Sequence, residues 1–469
     1  MTQEKSSRRQ FLRRCALTAL GAAVVGCAQP PAPKTVEAPE ATQAGAPQAT
    51  KPPEATGAPA TARPVELSMM FWGDVGLYQK LASQFQEEHP NVTIKFLGLG
   101  WEDFWEKLTT VFAAGKHPDF ITENDAFYVG HAALGALMPL DPFVDASSTF
   151  PKDWYKPLWD NYHWDGKQYA VPYDNAVMAC WFNRGMLEEA GIDPLPAVGW
   201  TYDDWLEMCM RTAVDANGKH PADSSFDPEH VKVWGLEYFG GLCDWTQCNR
   251  EMLLSWGTDL ISNDGRECLI LQPEAMACLE WQYDTIYRWH IAPTPKAASS
   301  FWDAGNGFGS GGMIFTREAA EVVGWSDPKI KHGTMCYPKG GQKGQHVMGA
   351  PCSGYAIPSQ APHPQEAWQW MEFLAGDAGM TAWVEQEGVS PPRKSLLPKW
   401  IGKHGDVYGL QVMYDNLDEW GVSAWKHVKR QEIEDTLGAE FELVWMGERS
   451  LKEAAQAAKP KVDSLLAQG

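Results

Sequence analysis

The fold of this chain is most constrained by a segment, beginning at Val65, in which the spacing of apolar residues switches repeatedly between two periods. The run VELSMMF is typical of a buried strand, whereas the next segment places Leu77, Leu81 and Phe85 four residues apart, on one face of a helix. The sequences NVTIKFL, WEDFWEKLTTVFAAG and PDFIT then predict a strand, a helix and a third strand. Because strands that alternate with helices form a parallel sheet covered by those helices, the sequence predicts an α/β fold.

The ends of two predicted strands carry residues suited to contacting a ligand. The first strand ends in Trp72-Gly73-Asp74, and Glu123-Asn124-Asp125 follows the third. In open α/β sheets, ligands bind beyond the carboxyl ends of the strands, where the strand order reverses. We therefore predict that the ligand contacts Trp72, Asp74, Glu123 and Asn124.

The rest of the chain continues the alternation of strands and helices. The segment YAVPY leads through Asp174 and Asn175 into AVMACWF, which is a second apolar strand pattern. Thr201 and Asp204 have the spacing of a helix capping box. Longer helices are predicted in PEAMACLEWQYDTIYRW, PQEAWQWMEFLAGDAGM and SLKEAAQAAKPKVDSLLAQ, and no internal repeat is found.

The first 26 residues have the features of an export signal. The pair Arg8 and Arg9 in SRRQFL resembles the twin-arginine motif, and the apolar run that follows is shorter than the roughly 20 residues needed to span a bilayer. The sequence VVGC, which ends at Cys27, resembles a bacterial lipobox. We predict that residues 1–26 are a signal peptide and that lipidated Cys27 anchors the protein to the outer face of the cell membrane. The motifs leave the twin-arginine and the general export routes open.

Residues 27–64 are predicted to be a disordered linker behind this lipidated cysteine. The segment is rich in proline and alanine and almost free of large apolar side chains. Such a segment cannot bury enough surface to fold, and its prolines keep it partly extended. The globular body is therefore expected to begin at residue 65.

Composition excludes one class of partner and indicates one kind of surface. The chain has 469 residues and a formal net charge of -21, so it is repelled by the phosphates of nucleic acids. The chain has 23 tryptophans, which is an unusually large number, and burying a tryptophan is costly because its indole N–H needs a hydrogen-bond partner. We expect most of them in the core and a few to serve as flat platforms for a ligand.

The cysteines favour disulfides over a metal site. Eight follow Cys27, an even number in a chain predicted to be exported, although eight cysteines allow 105 pairings. They are Cys180, Cys209, Cys243, Cys248, Cys268, Cys278, Cys336 and Cys352. There is no C-x-x-C pair and no H-x-x-x-H spacing, so we expect neither a metal nor a cofactor.

Six segments carry short motifs in a fixed order along the body. They are FQEEHPNVTIKF, FAAGKHPDF, DGKQYAVPYDNAVMACWFNRGMLEEAGI, GSGGMIF, GYAIPSQAPHPQEAWQWMEFLAG and GVSPPRKSL. Each is weak alone, but the ordered set, behind a lipobox and a proline-rich linker, resembles the extracellular solute-binding proteins of family 1 of ABC importers, the group that includes the maltose-binding protein. The resemblance covers the chain from Val65 to about Leu466.

This resemblance implies a periplasmic-binding-protein-like fold of type II. Two α/β lobes would enclose a ligand cleft, and the chain would cross between them three times, near residues 174–177, 349–352 and 393–397. The first lobe would contain residues 65–173 and 353–392. The second would contain residues 177–348 and 398–469.

The resemblance also implies a binding protein and not an enzyme: a monomeric lipoprotein that captures a mono- or oligosaccharide and delivers it to the permease subunits of an importer. A sugar stacks the apolar C–H face of its ring on an aromatic side chain, and its hydroxyls require carboxylates, amides or guanidinium groups at fixed positions. By position and chemistry, further candidates are Tyr173, Asp174, Trp256, Trp302, Asn306, Arg317, Trp325 and Arg393.

Purely structural roles are alternatives to ligand binding for several of these residues. Hinge packing or a helix cap accounts equally well for Tyr173 and Asn124. Core packing does so for the three tryptophans of the second lobe, Trp256, Trp302 and Trp325. Arg393 could form a structural salt bridge at the third crossing.

The ligand class also has alternatives. After GGMIF the family often has a glycine and an aromatic residue, whereas this chain has Thr316-Arg317-Glu318, so Arg317 could hold a charged sugar such as a uronate. A polyol, a glycerol phosphodiester or a peptide would also fit a transport protein. An exported glycoside hydrolase would need two carboxyl groups about 5–9 Å apart across the scissile bond.

Overall fold

The computed structural model describes residues 63–192, 198–238, 250–303, 305, 307–319, 322–387, 389–404 and 407–468. The predicted signal peptide, Cys27 and the linker up to residue 62 lie outside these ranges, as do Cys243, Cys248 and Asn306. Strands and helices are numbered below in chain order.

The first sheet has five strands in the order β2-β1-β3-β13-β6. They are β1 (Val65–Trp72), β2 (Val92–Leu99), β3 (Phe120–Asn124), β6 (Val171–Pro172) and β13 (Ser353–Ala356). Strand β1 pairs in parallel with β2 and β3, whereas β13 runs antiparallel to β3 and β6. Helices α1 (Gly76–Glu88) and α2 (Trp101–Ala113) connect the parallel strands. The strands and helices predicted for this segment are therefore confirmed.

The apolar spacing of β1 explains why both faces of this sheet are covered. Leu67 and Phe71 share a core cluster with Phe85 of α1, whereas Met70 points to the opposite face and packs with Phe104 of α2. Phe85 and Phe104 are both fully buried. Truncating either to alanine would cost about 3–5 kcal/mol, because the cavity would add to the lost burial.

The second sheet has five strands in the order β11-β7-β10-β9-β8. They are β7 (Ala179–Asn183), β8 (Val214–Asp215), β9 (Val231–Leu236), β10 (Met313–Glu318) and β11 (His332–Met335). Its core cluster includes residues of α7 (Tyr202–Thr212), α9 (Pro273–Tyr287), α17 (Arg430–Trp445) and α18 (Leu451–Leu466). The predicted capping box opens α7, since the Thr201 hydroxyl accepts from the Asp204 N–H and the Asp204 carboxylate accepts from the Thr201 N–H.

Shorter elements complete the described chain. Two-stranded pairs are β4 (His163–Trp164) with β5 (Lys167–Gln168), and β12 (Met348–Gly349) with β14 (Gly421–Val422). The other α-helices are α3 (Tyr128–Ala133), α4 (Asp141–Ala146), α5 (Lys156–Asn161), α6 (Arg184–Glu189), α8 (Arg250–Ser255), α10 (Pro295–Asp303), α11 (Val322–Trp325), α12 (Pro364–Ala375), α13 (Asp377–Ala382), α14 (Leu397–His404), α15 (Leu410–Asp415) and α16 (Leu417–Trp420). Single turns of 3₁₀ helix occupy Phe308–Ser310 and Lys394–Leu396, and Trp383–Glu387 is π-helical.

The chain passes three times between the sheets. It crosses between β6 and β7, between β12 and β13, and near Lys394–Leu396. The first two crossings lie side by side, because Tyr173 N donates to Ser353 O at 2.9 Å and Met178 N donates to Gly349 O at 2.9 Å. Two α/β lobes with three crossings are the architecture predicted from the sequence.

The cysteines differ from the prediction. The six within the described ranges are free thiols in the interior: Cys180, Cys209, Cys268, Cys278, Cys336 and Cys352. The expectation of disulfides is therefore wrong for these six, which fill the core as small apolar side chains. Burial raises the pKa of thiols such as Cys209, so the reactive thiolate is disfavoured.

Within the described ranges, no helix combines the length and the apolar character that crossing a bilayer requires.

Candidate functional site

An aromatic cluster lies where β1 ends and α2 begins. The Trp72 ring meets those of Trp101, Phe104 and Trp105 at centroid distances of 4.9, 5.0 and 5.5 Å, and Phe127 lies 4.4 Å from Trp105. Trp101 and Trp105 are four residues apart, so both project from one face of the first turns of α2. Trp101 is 39% exposed, whereas Phe104 is fully buried. The cluster therefore exposes aromatic surface to solvent through Trp101, while Phe104 holds it against the core.

Behind this cluster, a buried ion pair holds the end of β3. Glu123 is inaccessible to solvent; one of its carboxylate oxygens accepts from Asn124 N at 2.9 Å and the other lies 2.7 Å from His131 Nδ1. Burial opposes the charged imidazolium, but the charge and hydrogen bond of Glu123 outweigh it and raise the pKa of His131. The His131 ring stacks on Trp105 at 6.2 Å. Glu123 thus positions the aromatic cluster through His131.

A second group of side chains, the interlobe cluster, joins the two lobes: Asp125, Asp174, Trp425, Arg430 and Glu434. Asp125 follows β3 of the first sheet, whereas Arg430 and Glu434 lie one turn apart on α17 of the second lobe. Arg430 Nε donates to Glu434 Oε1 at 2.7 Å and Arg430 Nη1 donates to the Asp125 carbonyl at 3.3 Å. The guanidinium also lies 5.7 Å from the centroid of the Trp425 ring, a cation–π arrangement. These contacts tie the end of the first sheet to the start of α17.

The two aspartates of the interlobe cluster titrate near neutrality. Burial raises the pKa of Asp125 to about 7, although Arg430 opposes the shift, and the charge of Asp174 adds to it. Burial likewise raises the pKa of Asp174 to about 6 against the hydrogen bond from Ser353 N, which is 2.6 Å long. These carboxyl groups can therefore accept or donate hydrogen bonds to a ligand, depending on pH.

Of the residues predicted at the first strand end, Trp72 lies within the aromatic cluster and Asp74 turns away from it. Asp74 is exposed, and its carboxylate accepts from Gly76 N at 2.6 Å. It lines a shallow depression with Gln79, Phe96 and Gly98, between α1 and the edge strand β2. Gly73 makes the turn possible because its φ of 111° is one that side chains strain to adopt.

Asn124 opens the turn that follows β3 and does not cap α3, which begins at Tyr128, whereas Tyr173 packs against aromatic rings. Asn124 Oδ1 accepts from Ala126 N at 3.0 Å and so shapes the turn after β3. Tyr173 is 5% exposed and stacks between Tyr355 and Trp383 at 4.6 and 5.3 Å.

Arg317 and Trp256 both lie in the second lobe. Glu237 accepts from Arg317 N at 2.6 Å and from the Thr316 hydroxyl at 2.9 Å, and all three residues are buried. Trp256 packs against the Tyr202 ring at 5.1 Å and covers Gly340, where any Cβ would lie 2.4 Å from the indole. These surroundings are those of a core.

Arg393 lies at the third crossing, where its donors are engaged. It is 6% exposed and forms ion pairs with Asp153 at 2.8 Å and Asp377 at 2.7 Å. These contacts are the structural salt bridge weighed in the sequence analysis. The side chains of Trp302, Asn306 and Trp325 lie outside the described residues.

The sequence reasoning missed most of the site described here. The sequence could have indicated Trp101 and Trp105, because they lie four residues apart at the start of a helix. This helix directly follows β2, at the carboxyl end of the strand, where open α/β sheets bind ligands. Arg430 and Glu434 are also four residues apart, but this spacing is common on helices. Nothing in the sequence shows that this helix contacts Asp125.

Comparison with known proteins agrees with the two-lobed α/β architecture. Residues 80–406 match the family described as bacterial extracellular solute-binding protein. The chain belongs to this family, whose members are exported binding proteins.

Among similar proteins, a binding protein of Brucella abortus is 22% identical over 399 residues, which cover 83% of this chain and 89% of that protein. A substrate-binding protein of Listeria monocytogenes, solved in complex with cycloalternan, has a TM-score of 0.70 and 16% identity over 86% of this chain and 99% of its own. A solute-binding protein of Thermotoga lettingae bound with alpha-D-tagatose has a TM-score of 0.70 and 19% identity, with the same coverage. These structures share the type II fold.

Proposed function

We propose that this protein is the substrate-binding lipoprotein of an ABC importer, which captures a carbohydrate between its lobes and delivers it to a membrane permease. The observation that carries the proposal is the aromatic cluster, whose Trp101 is exposed to solvent, on the same lobe as Asp125, and Asp125 in turn contacts Arg430 of the other lobe. Two proteins of the same fold were solved with the carbohydrates cycloalternan and tagatose, which supports this ligand class.

The chemistry of the two clusters suits the two surfaces of a sugar. The exposed ring of Trp101 offers a face for the apolar C–H side of the sugar, beside Trp72 and Trp105. Asp125 and Glu434 supply carboxyl groups for hydroxyls. Binding between two lobes requires no covalent step, so we propose a binder and not a glycoside hydrolase.

Closure of the lobes around the ligand would be the signal that the permease reads. The interlobe cluster has groups from both lobes, so a ligand that contacts both stabilises the closed form by its differential affinity for that form. We propose that the lobes comprise residues 65–173 with 353–392 and residues 177–348 with 398–469, and that the protein acts as a monomer.

A titration of intrinsic fluorescence against mono- and oligosaccharides, polyols and peptides tests this function. We expect saturable quenching by a carbohydrate, with about tenfold weaker binding for Trp101→Ala and at least threefold weaker binding for Trp72→Ala (at least about 0.7 kcal/mol). Trp289→Ala is the matched control, because Trp289 is half-buried in the second lobe beside Arg288. Turnover of a labelled oligosaccharide, or tight binding of a peptide with no carbohydrate bound, would reject the proposal.

Membrane anchoring is proposed through lipidated Cys27. We expect Cys27→Ser to release the protein from the membrane fraction while its ligand affinity is unchanged. A variant that stays in the membrane fraction would contradict the anchor and leave the binding function intact.

A further inference from the structure

Helix α5 of the first lobe is hydrogen-bonded to the stretch of the second lobe that follows α16. Asn161 Oδ1, at the end of α5, accepts from Ala424 N at 2.7 Å. Ser423 Oγ donates to the Pro157 carbonyl in the first turn of α5, also at 2.7 Å. We call this contact, between α5 and residues 421–426, the α5 joint.

Two more contacts close the α5 joint at the ends of the second-lobe stretch. At Gly421 a Cβ would lie 2.7 Å from Pro157 Cγ, so the backbone there touches α5 directly. At the other end, Lys426 Nζ donates to the carbonyls of Asp160 and His163 at 2.5 and 2.7 Å. The stretch is therefore held against α5 along its whole length.

Asn161 connects the α5 joint to the second crossing between the lobes. Its side chain is inaccessible to solvent, and its Nδ2 donates to the Ala350 carbonyl and lies 3.2 Å from Cys352 Sγ. Because its Oδ1 accepts from Ala424, one buried amide bonds to the crossing and to the second lobe at once. Separating these segments would leave buried polar groups without partners, which is costly.

The other two crossings lie against the same place. Just before α5, Tyr155 N donates to the Pro392 carbonyl at 3.1 Å, beside the third crossing. Ala176 N of the first crossing donates to the Pro351 carbonyl of the second at 3.1 Å. All three crossings are thus hydrogen-bonded to α5, to the residue before it, or to one another.

We propose that α5 is the pivot on which the two lobes turn, and that Asn161 is the positioning residue that fixes it to the second crossing. The proposal rests on the closure of the lobes in the function proposed above and adds to the three covalent crossings a fourth, noncovalent connection. In hinge closure a few residues absorb the rotation, and segments close to the axis move least. The contacts of the α5 joint therefore persist while the lobes open and close.

A pivot has a geometric consequence, because a point on a rotation axis keeps its distance from every point of both lobes. Lys156 on α5, Glu88 on α1 and Gln456 on α18 are exposed positions for spin labels. The labels are attached in pairs through a ketone-bearing unnatural residue, so that native thiols do not react, and pulsed electron paramagnetic resonance measures the distances. When the lobes move, the Glu88–Gln456 distance should change by more than about 2 Å, whereas Lys156–Glu88 and Lys156–Gln456 stay constant.

Two conditions move the lobes, and the first requires no ligand. Arg430→Ala removes the donor to the Asp125 carbonyl of the other lobe, so the lobes should open; Arg430→Lys replaces it if the alanine variant does not fold. The second condition is addition of a carbohydrate that binds. If no carbohydrate binds, the proposed function fails and the first condition still decides on the pivot.

Two results would overturn the pivot. In one, the Lys156–Gln456 distance changes as much as the Glu88–Gln456 distance, which would show that α5 moves as part of the first lobe. In the other, the Glu88–Gln456 distance stays fixed under every condition, which would show that the lobes do not turn.

The role of Asn161 is tested by the width of the Lys156–Gln456 distance distribution. Asn161→Ala should broaden it, whereas Asn183→Ala should not, since the Asn183 side chain accepts from Met186 N within the second lobe. Both variants lose a hydrogen bond of a buried asparagine, so a purely structural role would not separate them. If Asn161→Ala does not fold, Ser423→Ala replaces it, and an unchanged distribution in the folded variant would reject the assignment.

Discussion

Each of the two sheets has a buried glutamate near the carboxyl end of one of its strands, and the two glutamates are used differently. Glu123 is the penultimate residue of β3 and pairs with His131, a titratable side chain that is 21% exposed. Glu237 directly follows β9 and accepts hydrogen bonds from the backbone of Arg317 and the hydroxyl of Thr316. The first glutamate supports a surface that faces solvent, whereas the second closes the end of its sheet.

This difference shows that a carboxylate at a strand end is not in itself a ligand group. Both glutamates lie where open α/β sheets bind ligands. In each case the carboxylate oxygens accept hydrogen bonds from protein donors, and a group that faces solvent lies one layer further out only on the first sheet. On the first sheet that layer is the aromatic cluster.

The largest effect is expected where the second glutamate is removed. Glu237→Ala deprives the buried Arg317 N–H and Thr316 hydroxyl of a charged acceptor, which should lower the free energy of unfolding by about 3–5 kcal/mol. Urea unfolding followed by circular dichroism measures the change. Glu66→Ala, at an exposed position of β1, is the control and should change stability by less than about 0.5 kcal/mol. A loss below 1 kcal/mol for Glu237→Ala would contradict the assignment.

The sequence predicted the β1–α1–β2–α2–β3 unit well, because each element is determined by apolar residues close together in the chain. Leu77, Leu81 and Phe85 fall on one helical face whatever lies elsewhere in the protein. The capping box at Thr201 is equally local. The ordered motifs then identified the two-lobe fold.

The site was predicted less well, because it depends on contacts between distant segments. Arg430 donates to the carbonyl of Asp125, 305 residues away, and no periodicity encodes that meeting. Arg393 is chemically suited to bind a ligand, but its neighbours Asp153 and Asp377 engage its guanidinium within the protein. Cysteine number likewise carries no information on the distances between thiols, which is why the disulfide prediction was wrong for the six described cysteines.

A smaller effect is expected for the first glutamate. Glu123→Ala removes the acceptor of Asn124 N and the partner of His131, which should cost about 2–3 kcal/mol of stability. The cost is lower than for Glu237 because water can reach the partly exposed His131. Since His131 stacks on Trp105, ligand affinity should also fall, by about threefold, in a fluorescence titration.

The control for this change is Glu106→Ala, an exposed position on α2 beside Trp105. It should leave both stability and affinity unchanged. If Glu123→Ala lost affinity completely while remaining as stable as the unmodified protein, Glu123 would be a direct ligand group, as first predicted from the sequence, and the contrast between the two glutamates would fail.

The smallest effect, on the order of 1 kcal/mol, is a pH dependence that only the first sheet should show. The pKa of His131 is higher in the folded protein than its ordinary value of 6.5, so the folded state holds this proton more tightly than the unfolded chain does. The stabilisation is complete below the ordinary value and is lost as pH rises through the folded-state pKa. His131→Gln should therefore remove a fall in stability that sets in as pH rises above 6.5, measured by urea unfolding at each pH. His230→Gln is the matched control: Asp227 also raises the pKa of His230 through a hydrogen bond, but that pair is exposed to solvent, so the pH profile should not change. Equal changes in both variants would show that burial of the Glu123–His131 pair makes no difference to its strength.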